Sequence, residues 1–332
     1  MNTLSIFRPI QFIVLIFAFT ILFFVPSFST AATVNITLLL QESPWEIRPN
    51  LVLQELYLFS QDGRPPTLPG PEIRVNEGDY VEVTITNTMS HSHTLIFPGL
   101  GGTGMGELEL PPGGSNVFSF LGSTPGTYYY AGKTPQERDR GMYGAIVVHS
   151  PNERPIPPQL DYVRFFDEIP RDWKDSIDTV HGDPDHVKPT YHTHEFILNG
   201  KTIDSKVRGN NIEGIKLFAD IGETLVIRTI SIGSETHAPH VHSHLFDTTE
   251  NGLTTKDGEP ALTTPTDVVR MPSLAVKNLY ITARSLGPWP LHCHVETHLL
   301  NNEDADYPGG MFTFLDVGSV GQSRGGDSNQ DD

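Results

Sequence analysis

Residues 291–299 read LHCHVETHL and contain the single cysteine of the 332-residue chain, Cys293. Successive side chains of a β-strand point to opposite faces, so His292 and His294 would share one face while Cys293 points to the other. A second histidine-rich stretch, residues 236–245, reads THAPHVHSHL. The two stretches together hold seven of the fourteen histidines. This clustering indicates two separate metal sites, one on each side of a strand.

Short apolar runs separated by turn residues predict an all-β fold. The chain has 30 glycines and 27 prolines, which separate runs such as YVEVTIT (80–86), GAIVV (144–148) and TLVIRTI (224–230). Runs of this length and composition are typical of strands, and no long amphipathic helical pattern is found. The pattern favours a protein of the β-sandwich type.

An internal repeat predicts two copies of the sandwich. The segment PEIRVNEGDYVEVTITNTMSHSHTLIFPG, from residue 71, matches IKLFADIGETLVIRTISIGSETHAPHVHSH, from residue 215. Both segments predict a strand, a glycine turn, a second strand and then a histidine-bearing strand. The ends of the two halves also match, since GMYGAIVV closes the first and GGMFTFLDV closes the second.

The repeat divides the chain into two predicted domains, residues 33–150 and 161–317. Residues 151–160 are rich in proline and polar side chains and are expected to form the linker. Residues 318–332 are rich in glycine, serine and aspartate and are expected to be a disordered tail.

Residues 1–32 have the order of a secretory signal peptide. A lone Arg8 precedes an apolar run at 12–25, and small residues follow it. The expected location is therefore secreted, periplasmic or extracellular, with an uncleaved membrane anchor as the alternative. One cysteine cannot form an internal disulfide, and a free thiol in an oxidising compartment suggests that Cys293 binds something. The net charge of −18 argues against nucleic acid as a partner.

The residues on the cysteine side of the strand match a blue copper site. A thiolate with two imidazoles is the trigonal ligand set of type 1 copper, and Cys293, His237 and His298 can supply it. Met311 is the best candidate for a weak axial thioether ligand. Its alternative role is a core methionine at the head of a strand.

The residues on the other side predict an all-imidazole site. Such a site suits copper or zinc without a thiolate, and its candidate ligands are His240, His242, His292 and His294. For His244 we favour a hydrogen-bonded histidine that shapes the site. His91 and His93 are interpreted as exposed loop histidines, with a replacement metal ligand as the alternative.

These motifs resemble those of the multicopper oxidases. HAPHVHSH (237–244) is similar to the HxPxHxxxH-type motif of that family, and LHCHVETH (291–298) is similar to its HCHxxxH motif. The segments PGPEIRVNEGD, GMYGAIVV and HEFILNGKTID also resemble its strands. The resemblance implies two tandem cupredoxin-like (plastocyanin-like) Greek-key β-sandwiches, as in two-domain laccases and copper nitrite reductases. It implies a type 1 copper held by His237, Cys293, His298 and Met311, a type 2 copper held by His240, and a type 3 pair held by His242, His292 and His294.

The first half departs from the family pattern at four ligand positions. TLIFPGL (94–100) carries Ile96 and Pro98 where the family has histidines, and TYYYAGK (127–133) carries Ala131 and Lys133. Apolar side chains offer no ligand atom, and a protonated lysine repels a cation. A complete three-copper cluster, and with it the four-electron reduction of oxygen, is therefore not expected.

The sequence thus predicts an exported copper-dependent oxidoreductase. Its type 1 copper would exchange electrons with a donor or acceptor protein and pass them to or from an all-histidine copper site. That site would handle a small substrate: oxygen, nitrite, another nitrogen oxide or hydroxylamine. The alternative is a blue-copper electron carrier or copper-binding protein without a catalytic second site. The family resemblance also implies a homotrimer.

Overall fold

A computed structural model describes residues 31–151, 156–170, 193–204, 212–254, 260–262, 264–301 and 307–319. The predicted signal peptide lies outside the described residues except for its last two positions. Part of the predicted linker, at 152–155, and the predicted tail beyond residue 319 also lie outside them. Among the helices described, none combines the length and the apolar character needed to span a bilayer.

The first half of the described chain is a sandwich of two sheets. One sheet has the strand order β2-β1-β4-β7, and the other has the order β3-β9-β8-β5-β6. A short helix, α1 (Pro135–Asp139), joins β8 to β9. The strands are β1 (Thr33–Arg48), β2 (Leu51–Gln61), β3 (Gly70–Asn76), β4 (Tyr80–Asn87), β5 (His93–Ile96), β6 (Glu107–Leu110), β7 (Ser115–Leu121), β8 (Gly126–Gly132) and β9 (Tyr143–His149).

The second half repeats this architecture. One sheet has the order β11-β10-β14-β18-β16, with β17 beside β16, and the other has the order β13-β21-β19-β15. The strands β12 and β20 form a separate two-stranded sheet. The bounds are β10 (Asp161–Pro170), β11 (Thr193–Leu198), β12 (Ile203–Asp204), β13 (Leu217–Asp220), β14 (Thr224–Ser231), β15 (Pro239–Val241), β16 (Phe246–Thr254), β17 (Pro260–Leu262), β18 (Val276–Thr282), β19 (Gly287–Cys293), β20 (Gly309–Gly310) and β21 (Phe312–Gly318). Single 3-10 turns occur at Thr103–Gly106, Pro158–Leu160, Glu213–Ile215 and Glu296–Leu299.

The strand pairing confirms the internal repeat. In the first half β1 runs parallel to β4 and β3 runs parallel to β9. In the second half β10 runs parallel to β14 and β13 runs parallel to β21. Alternation of buried and accessible side chains is clearest in β4, where every second residue is buried. This is the period expected of a strand with one face on a core.

Three apolar cores hold the described residues together. Each sandwich has its own core, and the second of these contains both Cys293 and Met311. The third core lies where the sandwiches meet, with Tyr129 and Val147 from the first and Phe165 from the second. In addition, a bridge between Leu253 and Gly126 joins β16 to β8. The described residues accordingly belong to one compact unit.

Candidate metal centres

Cys293 lies at the end of β19 with its sulfur inside the second sandwich. The side chain is fully buried and forms no disulfide. Its Sγ accepts a hydrogen bond from the amide N–H of Ala238 at 3.3 Å and lies 3.4 Å from Nδ1 of His298. A thiolate needs such donors or a metal when it is removed from water.

His237 and His298 complete a compact group with this sulfur. Their Nδ1 atoms are 3.2 Å apart, and the ligand atoms of all three residues lie within 4.8 Å of one another. Two atoms bonded to one ion at about 2.0–2.3 Å stand roughly 3–4 Å apart. The ring of Phe196 also stacks on that of His298 at a centroid distance of 4.0 Å. The spacing of the three ligand atoms therefore fits a single metal ion.

Each imidazole of this cluster meets a carboxylate with its outer nitrogen. Nε2 of His237 lies 3.2 Å from Oε2 of Glu168, and Nε2 of His298 lies 3.1 Å from Oε2 of Glu235. Burial by itself would lower the pKa of His298, but its hydrogen bonds to Cys293 and Glu235 outweigh burial and raise the pKa above the ordinary 6.5. Neither carboxylate is predicted from the sequence, because 69 positions separate Glu168 from His237 and 63 separate Glu235 from His298.

The backbone of Met311 is hydrogen-bonded to two residues of this cluster. Its carbonyl accepts from the N–H of Cys293 at 3.1 Å, and its own N–H donates to the carbonyl of His298 at 3.0 Å. The side chain is fully buried. Its assignment as the axial ligand remains a prediction.

A second cluster lies on the opposite side of β19, as the alternation predicted. The ring nitrogens of His240, His242 and His292 lie within 4.8 Å of one another, with 3.0 Å between Nε2 of His242 and Nε2 of His292. Strand pairing explains this convergence, because His240 on β15 stands directly opposite His292 on β19. His294 borders the cluster, with its ring 4.9 Å from that of His240.

Backbone contacts set the tautomers of two of these rings. Nδ1 of His240 lies 2.7 Å from the carbonyl oxygen of Asp267, and Nδ1 of His292 lies 2.9 Å from that of Cys293. A carbonyl only accepts, so both Nδ1 atoms carry a proton, and in the neutral rings Nε2 is left as the atom that can bind a metal. Burial lowers the pKa of His242 and of His292, and neighbouring imidazoles lower both further. Neutral imidazole is the form that binds a metal.

His244 has the structural role that the sequence analysis favoured. It is buried, its Nδ1 lies 2.9 Å from the carbonyl oxygen of His242, and its Nε2 accepts from the N–H of Arg284 at 3.2 Å. Both ring nitrogens are thus engaged with the backbone.

A cavity of about 540 Å³ opens beside the histidine cluster. His292 and His294 form part of its wall, and Glu296 and Tyr307 lie further along it. The cluster therefore borders a space large enough for a small molecule.

Comparison with known proteins gives these clusters a family context. Two multicopper oxidase models match residues 66–153 and 181–302, which together make up more than half of the chain. The chain belongs to the multicopper oxidase family. Copper is the metal of this family, and the Cys293 and His240 clusters lie within the second matched region.

The curated relatives are longer than this multicopper oxidase chain. A "probable nitrite reductase-hydroxylamine oxidoreductase fusion protein" of Kuenenia stuttgartiensis is 25% identical over 275 residues, which is 77% of this chain and 29% of the relative. The multicopper oxidase MmcO of Mycobacterium tuberculosis is 28% identical over 156 residues, which is 44% of this chain and 30% of the relative. The chain thus spans less than a third of the length of either.

Solved structures confirm the fold. The multicopper oxidase mgLAC superimposes with a TM-score of 0.67 at 23% identity and covers 86% of each chain. A copper nitrite reductase of Nitrosomonas europaea also gives a TM-score of 0.67, at 19% identity, over 86% of this chain and 94% of the other. The prediction of two cupredoxin-like sandwiches is thereby confirmed.

The first sandwich of this multicopper oxidase lacks the family's ligands at the four positions noted in the sequence. Ile96 and Ala131 are cross-strand neighbours on β5 and β8, so two of the four positions lie side by side. Lys133 binds Glu107 through an ion pair of 2.8 Å. None of these side chains supplies a copper ligand.

The interpretation of His93 as an exposed loop residue is wrong. His93 begins β5 and is buried, and its Nδ1 lies 2.9 Å from Oε1 of Glu137. Glu137 is fixed in turn by the capping box that it forms with Thr134 at the start of α1. His91 is exposed, as expected, and contacts Ser90.

Proposed function

We propose that Cys293, His237 and His298 bind a type 1 copper, with Met311 as its axial ligand. The observation that carries this assignment is the convergence of Sγ and two Nδ1 atoms at 3.2 and 3.4 Å inside a buried core. The donor set is the trigonal thiolate and imidazole arrangement of blue copper proteins. The backbone bonds of Met311 to both Cys293 and His298 support its assignment.

A second copper would bind at His240, His242, His292 and His294. Nε2 of His240 and of His292 is left unprotonated in the neutral ring, and the pKa values of His242 and His292 are lowered; both observations support metal binding there. By the resemblance of the motifs, His240 would be the type 2 ligand, and His242, His292 and His294 would be the type 3 ligands. With Ile96, Pro98, Ala131 and Lys133 in the first sandwich, the family's three-copper cluster is incomplete in this chain.

The chain would act as a copper-dependent oxidoreductase on a small substrate. When bound, copper would supply one-electron oxidation and reduction at the cysteine site and substrate binding at the histidine site. Cys293 and His292 are consecutive residues, and Nδ1–H of His292 donates to the carbonyl of Cys293. The two sites are therefore joined by a short path of covalent bonds and one hydrogen bond.

Candidate substrates are oxygen, nitrite, another nitrogen oxide and hydroxylamine. The cavity beside His292 and His294 supports a substrate of small size. The relative from Kuenenia stuttgartiensis, whose name joins nitrite reductase and hydroxylamine oxidoreductase, favours the nitrogen compounds. An electron donor or acceptor protein would exchange electrons near Glu235, because this partly exposed carboxylate reaches the outer nitrogen of His298.

We further propose that the protein is exported and works as a homotrimer with the histidine cluster at a subunit boundary. The backbone of residues 267–269 bonds to the outer side of β15, but His242 on the turn after this strand is exposed. A cluster with an exposed histidine can be reached by a second copy of the chain.

Metal counting combined with turnover assays tests the function. We expect one copper at each cluster, a type 2 electron-spin signal beside the blue one, and turnover of nitrite, hydroxylamine or oxygen. One copper per chain with no turnover would instead identify an electron carrier. Tightly bound zinc and no visible colour after oxidation would contradict both the oxidoreductase and the electron carrier.

A further inference from the structure

Glu168 is a fully buried acid beside the cysteine cluster. It lies on β10, and its side chain has no solvent exposure. A carboxylate in this position is costly unless several donors compensate for the water that it loses. The groups that contact the Glu168 carboxylate therefore indicate its role.

In the described part of the chain, three N–H groups contact the carboxylate of Glu168. Oε1 accepts from the backbone N–H of Ser234 and, at 2.7 Å, from that of Glu235. Oε2 faces Nε2 of His237 at 3.2 Å. A carboxylate is an acceptor only, so the proton of this last bond belongs to the histidine.

Gly233 makes the close approach of this carboxylate possible. A Cβ atom at position 233 would stand 2.1 Å from Oε2 of Glu168 and 2.6 Å from Oε1. The loop therefore has no side chain where the carboxylate lies, and its next two amides point at Oε1. The backbone of this loop thus binds Oε1 of Glu168, and Oε2 remains available to His237.

This arrangement fixes the tautomer of His237. With the proton on Nε2, the lone pair of Nδ1 is free, and Nδ1 is the atom that lies 3.2 Å from Nδ1 of His298 in the cysteine cluster. A carboxylate on the outer nitrogen also makes an imidazole a stronger donor. Glu235 makes a similar contact to His298, but its side chain is 33% exposed, so water screens its charge.

We propose that Glu168 is a positioning residue that presets His237 for copper and lowers the reduction potential of the type 1 site. This inference rests on the proposed copper function of the cysteine cluster. Buried negative charge stabilises Cu(II) more than Cu(I), because the interaction grows with the charge of the ion. The effect comes from a residue that does not itself contact the metal.

Glu168→Gln separates this role from packing, because it conserves shape. Its amide oxygen can still accept from Ser234 and Glu235, which turns the amide NH2 toward His237. His237 must then accept with Nε2, so the proton moves to Nδ1, the copper-binding atom. In the copper-free protein, nitrogen NMR should find the Nε2–H tautomer of His237 in the wild type and the Nδ1–H tautomer in Glu168→Gln.

Copper binding provides the second measurement. We expect Glu168→Gln to lose about 10- to 100-fold in Cu(II) affinity, the range for residues that orient a metal ligand. Cu(I) affinity should fall less, so the reduction potential rises by about 59 mV for each tenfold difference between the two losses. Gly233→Ala changes neither a ligand nor Glu168, but its Cβ would displace the Glu168 carboxylate, so the potential should change in the same direction.

Asp167→Asn is the matched control. Asp167 precedes Glu168 on β10, but its carboxyl accepts from the hydroxyl of Tyr143 at 2.9 Å instead of touching a copper ligand. Burial raises the pKa of Asp167 well above its ordinary value, and the nearby Glu168 and Asp139 raise it further. The asparagine variant should therefore keep the wild-type tautomer and potential.

The Nδ1–H tautomer in the copper-free wild type would overturn the proposal, as would an unchanged potential in a folded, copper-loaded Glu168→Gln. Failure of the wild type to form a blue site would instead contradict the proposed function. The tautomer measurement needs no copper, so the two failures are distinguishable.

Discussion

Cys293 and His292 are adjacent along β19, yet their side chains belong to different clusters. Sγ of Cys293 lies 3.4 Å from Nδ1 of His298, whereas Nε2 of His292 lies 3.0 Å from Nε2 of His242. Alternation along the strand separates the two sites, and the chain itself connects them. Each site should therefore respond separately to substitution of its own ligands.

His242→Ala should remove copper from the histidine cluster and leave the blue site intact. His242 is exposed on the turn after β15, so its loss should disturb little of the core. Elemental analysis should show one copper fewer per chain with the visible band unchanged, and turnover should cease. His91→Ala, another exposed histidine, is the control and should keep both coppers. Loss of the blue band in His242→Ala would show that the sites are not independent.

Asp161→Asn should destabilise the junction of the two sandwiches. Asp161 on β10 binds the buried Arg228 through two contacts of 2.7 and 2.8 Å, and Arg228 also donates to Thr127 of the first sandwich. The variant leaves a buried guanidinium without its carboxylate, which costs about 3–5 kcal/mol. Urea unfolding at neutral pH measures this loss, and Lys133→Ala, which breaks an exposed ion pair, should cost about 0–1 kcal/mol.

The same pair predicts a pH dependence. Burial would raise the pKa of Asp161, but the hydrogen bonds and charge of Arg228 outweigh it and lower the pKa below the ordinary 3.8. A lowered carboxyl pKa contributes stability above the unfolded value, and this stability is lost as the pH falls through the folded value. The difference between the wild type and Asp161→Asn should be complete at neutral pH and shrink below pH 3.8. A constant difference down to the acid transition would contradict this account.

Leu286→Glu should weaken the proposed trimer. Leu245 and Leu286 are both 57% exposed, and the hydrogen bond from Arg284 to His244 brings their segments together beside the histidine cluster. Sedimentation should give the mass of three wild-type chains and a smaller mass for Leu286→Glu. Met105, which is 98% exposed on the first sandwich, supplies the control Met105→Glu. A wild-type monomer with both coppers bound would refute the trimer.

The sequence predicts those features that depend on local periodicity. The two sandwiches, the opposite orientations of Cys293 and His292, and the backbone-bonded role of His244 all follow from strand alternation and the repeat. Glu168 does not, because 69 positions separate it from His237 in the chain and only the pairing of β10 with β14 brings it near. The burial of His93 is not predictable from local sequence for a similar reason, because its contact with Glu137 spans 44 positions.

The central claim is that the sulfur of Cys293 binds copper between two imidazoles. Visible absorption and copper quantification of the wild type and of Cys293→Ser test it most directly. The oxidised wild type should show an intense visible band, and Cys293→Ser should lose this band and the copper of that site while keeping the copper of the histidine cluster. A colourless, fully copper-loaded wild type, or a variant that retains the band, would contradict the claim.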